Sequence, residues 1–228
     1  VGSSFPQAFF PGYFHEGGPE KMLEKLIDKE ERKTLISKMI ETHYGNPSNN
    51  VWTHINSEKN KYLEGMLFDE VAEMWNISVE EMVCKVMYEE SLGCGFRGAP
   101  PRNIKTWRQV EKNVMELLSR PDYMIGSDAI PTGGLPHPRA FGCFPRVLGR
   151  LRRRYNFPIE QVVQRITENP AQRFNLHRRG KIIKDNFADI VILDKDHLND
   201  RSTFEDPNVH PEGIYWVIVN GKIAVKNE

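Results

Sequence analysis

The sequence predicts an α/β fold, read as the C-terminal part of a parallel (β/α)8 TIM-like barrel followed by a small β-sandwich-type module. Three observations predict it. Apolar residues recur at helical spacing in several segments up to about residue 176, and short apolar runs at 51–56 and 123–125 alternate with them. After Gly180 the pattern turns β-rich. Only two strands of parallel type precede that tail, whereas a closed barrel needs eight strands and about 250 residues. The 228-residue chain is therefore expected to hold the back of a barrel over residues 1–178, an insertion loop included, and a β module over 179–228.

The elements follow in order. Residues 1–19 carry four Gly, three Pro, four Phe and a Tyr, which suits a long irregular loop whose rings tuck against a neighbouring core. Pro19 and Glu20 open a helix to about Thr42, with Met22, Leu23, Leu26, Ile27, Leu35, Ile36 and Met39 on its apolar face. VWTHIN at 51–56 alternates as a strand, and a helix is expected at about Leu67–Trp75. Ser78 followed by Glu81 makes a capping box for a helix through about Glu89. A Gly/Pro loop at 91–103 leads to a helix at Trp107–Leu118 and a buried strand at Tyr123–Ile125. Helices are expected at about Pro145–Tyr155, at Pro158–Thr167 and from Pro170. In the tail, Ile182, Ile183, Ala188–Leu193 and Ile214–Val225 are β-rich, with Asn220-Gly221 as a type I′ hairpin turn.

Composition excludes several function classes. With 39% hydrophobic residues the chain is globular, and 31 basic residues balance 31 acidic ones, which argues against nucleic acid or an anionic membrane as a partner. The basic run Arg150–Arg154 suits a solvated helix face that pairs with carboxylates. Cys84, Cys94 and Cys143 are odd in number and lack CxxC spacing, against both a disulfide framework and a zinc knuckle, so a cytoplasmic location is expected. No apolar run approaches the roughly 18 residues of a membrane span, and no signal-peptide pattern opens the chain.

The richest stretch in chemistry is 123–149, YMIGSDAIPTGGLPHPRAFGCFPRVLG. An apolar run ends at Asp128, and a Gly/Pro loop containing Pro131, Gly133, Gly134, Pro136 and Pro138 delivers His137 and Arg139. Taken singly, an Asp after a strand is commonly a turn former, and His-Pro-Arg is compatible with an ordinary surface loop. Together they make a site: a carboxylate can take and return a proton, and a guanidinium can clamp a substrate carboxylate through paired hydrogen bonds.

The run GSDAIPTGGLPHPRAFGCFPRVLGR, followed by TENPAQRFNLHRRGKI, ADIVILD and VNGK, resembles the C-terminal part of the amidohydrolase superfamily. The NPA, RGKI, ADIVILD and VNGK segments are shared widely in it, whereas Ser127-Asp128 through His137-Pro-Arg and the following Gly-x-Phe-Pro is similar to the N-acyl-D-amino-acid deacylases, or D-aminoacylases. Weaker similarity, with Gly2-Ser3-Ser4 and Gly17-Gly18 in the region after the sixth barrel strand, extends the match over nearly the whole chain.

The resemblance implies a zinc-dependent hydrolysis of the amide bond of N-acyl-D-amino acids. It implies that Asp128 acts as general base and then general acid and sits at the metal, that Arg139 contacts the substrate's α-carboxylate, and that Ser3 and His137 assist in substrate binding. The zinc ligands of that family, a His-x-His pair plus a Cys and two further His, have no counterpart here. No HxH occurs, and His15, His43, His54, His137, His177, His197 and His210 are scattered. The chain starts at Val1, in keeping with a processed product or a fragment. By itself it is expected to be inactive, with the N-terminal part of the barrel or another chain as partner. Two other readings remain open: a cyclic-amide hydrolase of the dihydroorotase or hydantoinase kind, and a non-catalytic scaffold that keeps the back half of the fold.

Overall fold

The computed structural model of the protein describes residues 2–39, 41–42, 45–100 and 103–227, so His43 lies outside the described residues. The chain divides into two compact units, one formed by Val1–Pro100 with Ala129–His137, the other by Pro101–Asp128 with Pro138–Glu228. The fold is mixed α/β. Its two sheets have three strands each, and neither closes among the described residues.

In the first unit the strands β1 (Ser3–Ser4), β2 (Asn50–Ile55) and β3 (Cys94–Gly98) form a sheet in the order β1-β3-β2. Both pairings are antiparallel. The 51–56 run is thus a strand, but not a parallel one, because its neighbour β3 arises from the segment at 91–103 expected to be loop. That segment is buried from Cys94 to Arg97, so its backbone needs the ladder that β2 supplies.

Helices α1 (Gly18–Ile27), α2 (Lys29–Met39), α3 (Phe68–Trp75) and α4 (Val79–Glu89) complete the unit. The apolar spacing at 19–42 predicts one helix and the structure has two. Asp28 leaves the helical region with ψ 124°, and its carboxylate accepts from the Glu30 and Glu31 amides at 3.0 and 2.9 Å, so it caps the second helix. Ser78 caps α4 as its position predicts, its hydroxyl accepting from the Glu81 amide at 3.1 Å. The core is aromatic. Phe9 stacks on Phe96 at 4.6 Å between centroids and Trp52 lies 4.2 Å from Phe68, all four buried. The Phe-rich start supplies this core, as Phe9, Phe10 and Phe14 show, while Phe5 stays exposed.

The second unit holds α5 (Ile104–Ser119), α6 (Arg139–Arg146), a π-helical turn Val147–Leu151, α7 (Arg152–Arg154), α8 (Ile159–Ile166), α9 (Glu168–Arg173) and the antiparallel sheet β4 (Ile190–Leu193), β5 (Ile214–Val219), β6 (Lys222–Lys226). Helix α6 begins six residues earlier than the apolar spacing predicts, because Pro138 presets a helical φ of −52° just before Arg139. Pro145 then lacks the amide that would close its turn, and the helix widens directly after it.

Met115, Leu118, Val147, Leu148, Leu151, Val162 and Leu198 form the core of this unit. The Asn220-Gly221 turn is as expected, with φ of 51° and 76°. Ile182 and Ile183 are exposed and outside any strand, since no neighbouring strand pairs with them among the described residues. In the 150–154 run Arg154 pairs with the Glu111 carboxylate at 2.6 Å as predicted, whereas Arg153 donates to the Leu198 backbone carbonyl at 3.0 Å.

Candidate functional site

The segment Tyr123–Ile125, expected as a buried strand, is not one. Its polar backbone is taken by helices instead. The Ile125 amide donates to the Arg165 carbonyl at 3.2 Å, and the Asn169 side chain donates to the Tyr123 carbonyl at 2.8 Å. With those groups engaged there is no ladder to join. The segment still delivers Asp128 at its end, as the spacing requires.

Asp128 has φ +47°, a left-handed conformation that Asp tolerates better than most residues and that is often found where backbone strain serves a site. Its side chain is 85% exposed, and its Oδ2 lies 2.9 Å from Nη2 of Arg139, which is 19% exposed. Arg139 opens α6, so its position is set by a helix rather than by the loop alone. The structure therefore brings together the carboxylate and the guanidinium. One turn further along α6, burial pushes the Cys143 thiol up in pKa while Arg139 pulls it down, with a net rise. Its Sγ lies 3.9 Å from the Gly126 carbonyl.

Ser3 and His137 belong to the first unit. Ser3 is half-buried on β1, opposite Arg97 of β3. His137 is half-buried at the end of the 129–137 loop. That loop is held against β2 by contacts that sequence reasoning missed. Leu135 N–H donates to the Thr53 carbonyl at 3.4 Å, and Gly134 N–H donates to Glu64 Oε2 at 3.1 Å. The other Glu64 oxygen accepts from Ile55 N–H at 2.9 Å and Lys61 Nζ at 2.8 Å. Burial pushes the Glu64 carboxyl up in pKa, but the Lys61 ammonium and the Ile55 and Gly134 amides outweigh it and hold it below the ordinary glutamate value. Gly133 is required here: its φ is +81°, and a Cβ would stand 2.2 Å from the Thr53 carbonyl oxygen. Only the Gly-Gly pair signals this approach in the sequence; nothing around Glu64 does.

Among the described residues, no group of three or more His, Cys, Asp or Glu side chains is placed to hold a metal ion. Asp128, the metal-binding candidate, is ion-paired to Arg139. These residues therefore do not by themselves fit a zinc centre, and no chemical step is derived through one. Cys84, Cys94 and Cys143 are free of disulfides. Among the described residues no helix is long and apolar enough to cross a membrane.

Comparison with known proteins bears out the resemblance. The chain is 43% identical over 112 residues to a D-aminoacylase and 38% identical over the same length to an N-acyl-D-glutamate deacylase, both from Alcaligenes xylosoxydans xylosoxydans. Each match takes 49% of this chain and 23% of the relative, so the chain aligns with under a quarter of those proteins. Among solved structures, the N-acyl-D-glutamate deacylase of Bordetella bronchiseptica, complexed with zinc and a phosphonate mimic of the tetrahedral intermediate, superposes with a TM-score of 0.64 at 28% identity, over 78% of this chain and 35% of that one. A D-aminoacylase studied for its binuclear metal centre superposes with a TM-score of 0.66 at 29% identity over the same shares. The model of the amidohydrolase family matches residues 61–225, a span that includes the Asp128–Arg139 pair and all but the last residue of the β4–β6 sheet, and the chain accordingly belongs to the amidohydrolase family.

Proposed function

We propose that this chain is the C-terminal part of an amidohydrolase that cleaves the amide bond of N-acyl-D-amino acids, supplying the proton-transfer carboxylate and the substrate clamp. Residues 1–178 would be the back of the (β/α)8 barrel and residues 179–228 the β module. The observation that carries the reading is the Asp128–Arg139 pair at 2.9 Å, within the span that the amidohydrolase family model matches.

Amide hydrolysis needs a proton taken from the attacking water and one given to the departing amine. An exposed carboxylate can do both in turn. Every N-acyl amino acid carries an α-carboxylate that a guanidinium can bind in a bidentate manner. In this reading Asp128 moves the proton and Arg139 fixes the α-carboxylate, which competes with Asp128 for the same guanidinium. Ser3 and His137 add polar contacts to the substrate. Zinc, present with the Bordetella bronchiseptica relative, is the proposed cofactor, held by ligands that a partner segment, the N-terminal part of the barrel, contributes. A cytoplasmic location fits the unpaired cysteines.

The test is turnover of N-acyl-D-amino acids by this chain alone and after mixing with the metal-ligand-bearing segment, with zinc present. Activity only in the mixture, lost in Asp128→Asn, is expected. Stoichiometric zinc and full turnover by the chain alone would overturn the division of labour. Equal activity on hydantoins, with no effect of Arg139→Ala, would point to a cyclic-amide hydrolase.

A further inference from the structure

We infer that Glu64 is a positioning residue: by holding the Gly133-Gly134 segment on β2 it fixes the loop whose two ends are Asp128 and Arg139. The inference rests on the proposed roles of those two residues. Glu64 itself is far from both in sequence and has no part in the chemistry.

Three features of the first unit support it. The Glu64 side chain is only 9% exposed, so its carboxylate is not a solvated surface charge. Its two oxygens divide between separate strands of chain, Oε1 taking the Ile55 amide and Lys61 and Oε2 taking the Gly134 amide. It therefore staples the loop to β2, and hydrogen bonds to an ionised acceptor are about twice as strong as neutral ones. Third, the loop lies close against its neighbours. Gly133 has no room for a side chain against Thr53 and His54, and Leu135 Cδ1 lies 2.7 Å from where a Cβ on Gly65 would stand.

The loop has no helix or strand of its own between Asp128 and Arg139. Its conformation is set by its prolines, by the Leu135–Thr53 bond and by Glu64. If the staple opens, the backbone that ends at Asp128 and re-enters helix at Arg139 loses its fixed middle. Errors of an ångström in placing catalytic groups can cost on the order of 100-fold in rate.

The experiment compares wild type, Glu64→Ala and Glu64→Gln by amide hydrogen exchange and by steady-state kinetics on an N-acetyl-D-amino acid, in the assembled zinc-loaded protein. In Glu64→Ala the Gly134 and Leu135 amides should exchange at least about tenfold faster, and so should Phe141 and Gly142, which close the first turn of α6 on the Pro138 carbonyl. Glu64→Gln keeps one carbonyl oxygen for two backbone donors and should fall between. Expected kinetics are a lower kcat, with Glu64→Gln partly restored, while thermal unfolding of Glu64→Gln stays within a few degrees of wild type. Unchanged exchange at Phe141 and Gly142 in both variants would overturn the inference, as would an unaltered kcat in Glu64→Ala. If wild type itself shows no turnover, the proposed function fails, and the exchange data alone decide on Glu64.

Discussion

Arg139 Nη2 stands 2.9 Å from Asp128 Oδ2, the two residues flanking the loop 129–138. The two groups are unequal. Asp128 is almost fully exposed, whereas Arg139 is largely covered and anchored in the first turn of α6. Exposed ion pairs contribute about 0–1 kcal/mol, so the pairing is of little consequence to stability. Asp128→Asn should leave the thermal midpoint within a few degrees of wild type in a melting experiment.

Arg139 should govern substrate recognition. Arg139→Ala is expected to raise KM for N-acyl-D-amino acids by at least tenfold and to leave N-acyl amines, which lack the carboxylate, nearly unaffected. Arg139→Lys should recover only part of the loss, because an ammonium cannot reproduce the planar fork. A substrate panel against both variants checks this.

Two carboxyls of the second unit should shape the pH dependence of stability in opposite senses. Burial pushes Glu111 up in pKa, but hydrogen bonds from Arg108 and Arg154 overcome it and hold the group below its ordinary value. Its stabilisation is therefore present above the unfolded glutamate value of 4.5 and lost as pH falls through the lower folded value. Asp200, with a side chain 3% exposed, is raised by burial despite Arg150. A raised folded value makes its ionisation costly to the fold above the unfolded value of 3.8. Glu111→Gln should flatten the acid limb of a plot of thermal midpoint against pH. Asp200→Asn should remove the ionisation penalty that sets in above pH 3.8, so that wild type gains stability relative to the variant as pH falls towards that value.

Packing predictions separate two glycines. A Cβ on Gly149, in the π-helical turn, would lie 2.3 Å from the Leu198 carbonyl oxygen, while one on Gly126 meets nothing within 4 Å. Gly149→Ala should destabilise the fold by about 1–3 kcal/mol or more, as overpacked cores do, and Gly126→Ala should be close to neutral. In the first unit, Trp52 is fully buried against Phe68, and Trp52→Ala should cost about 3–5 kcal/mol in chemical denaturation.

Much of the local structure was legible because it depends on neighbours in sequence. Ser78 and Glu81 declare a cap, and Asn220-Gly221 declares a turn. The nearness of Asp128 and Arg139 was legible too, since a carboxylate and a guanidinium at the two ends of a short Gly/Pro loop can meet as an ion pair, as they do at 2.9 Å. What escaped depends on distant partners. The 123–125 run has strand composition but meets helices, through Arg165 and Asn169. β3 has loop composition but meets β2. Glu64 lies 70 residues from Gly134, and no local pattern marks that hydrogen bond.

The central claim is that Asp128 carries the proton in amide cleavage, and the direct measurement is kcat/KM for an N-acetyl-D-amino acid in the assembled, zinc-loaded protein, wild type against Asp128→Asn. A loss of about 100-fold or more is predicted, in keeping with removal of a general acid–base group, with folding and zinc content unchanged. An Asp128→Asn protein that turns substrate over at the wild-type rate would contradict it.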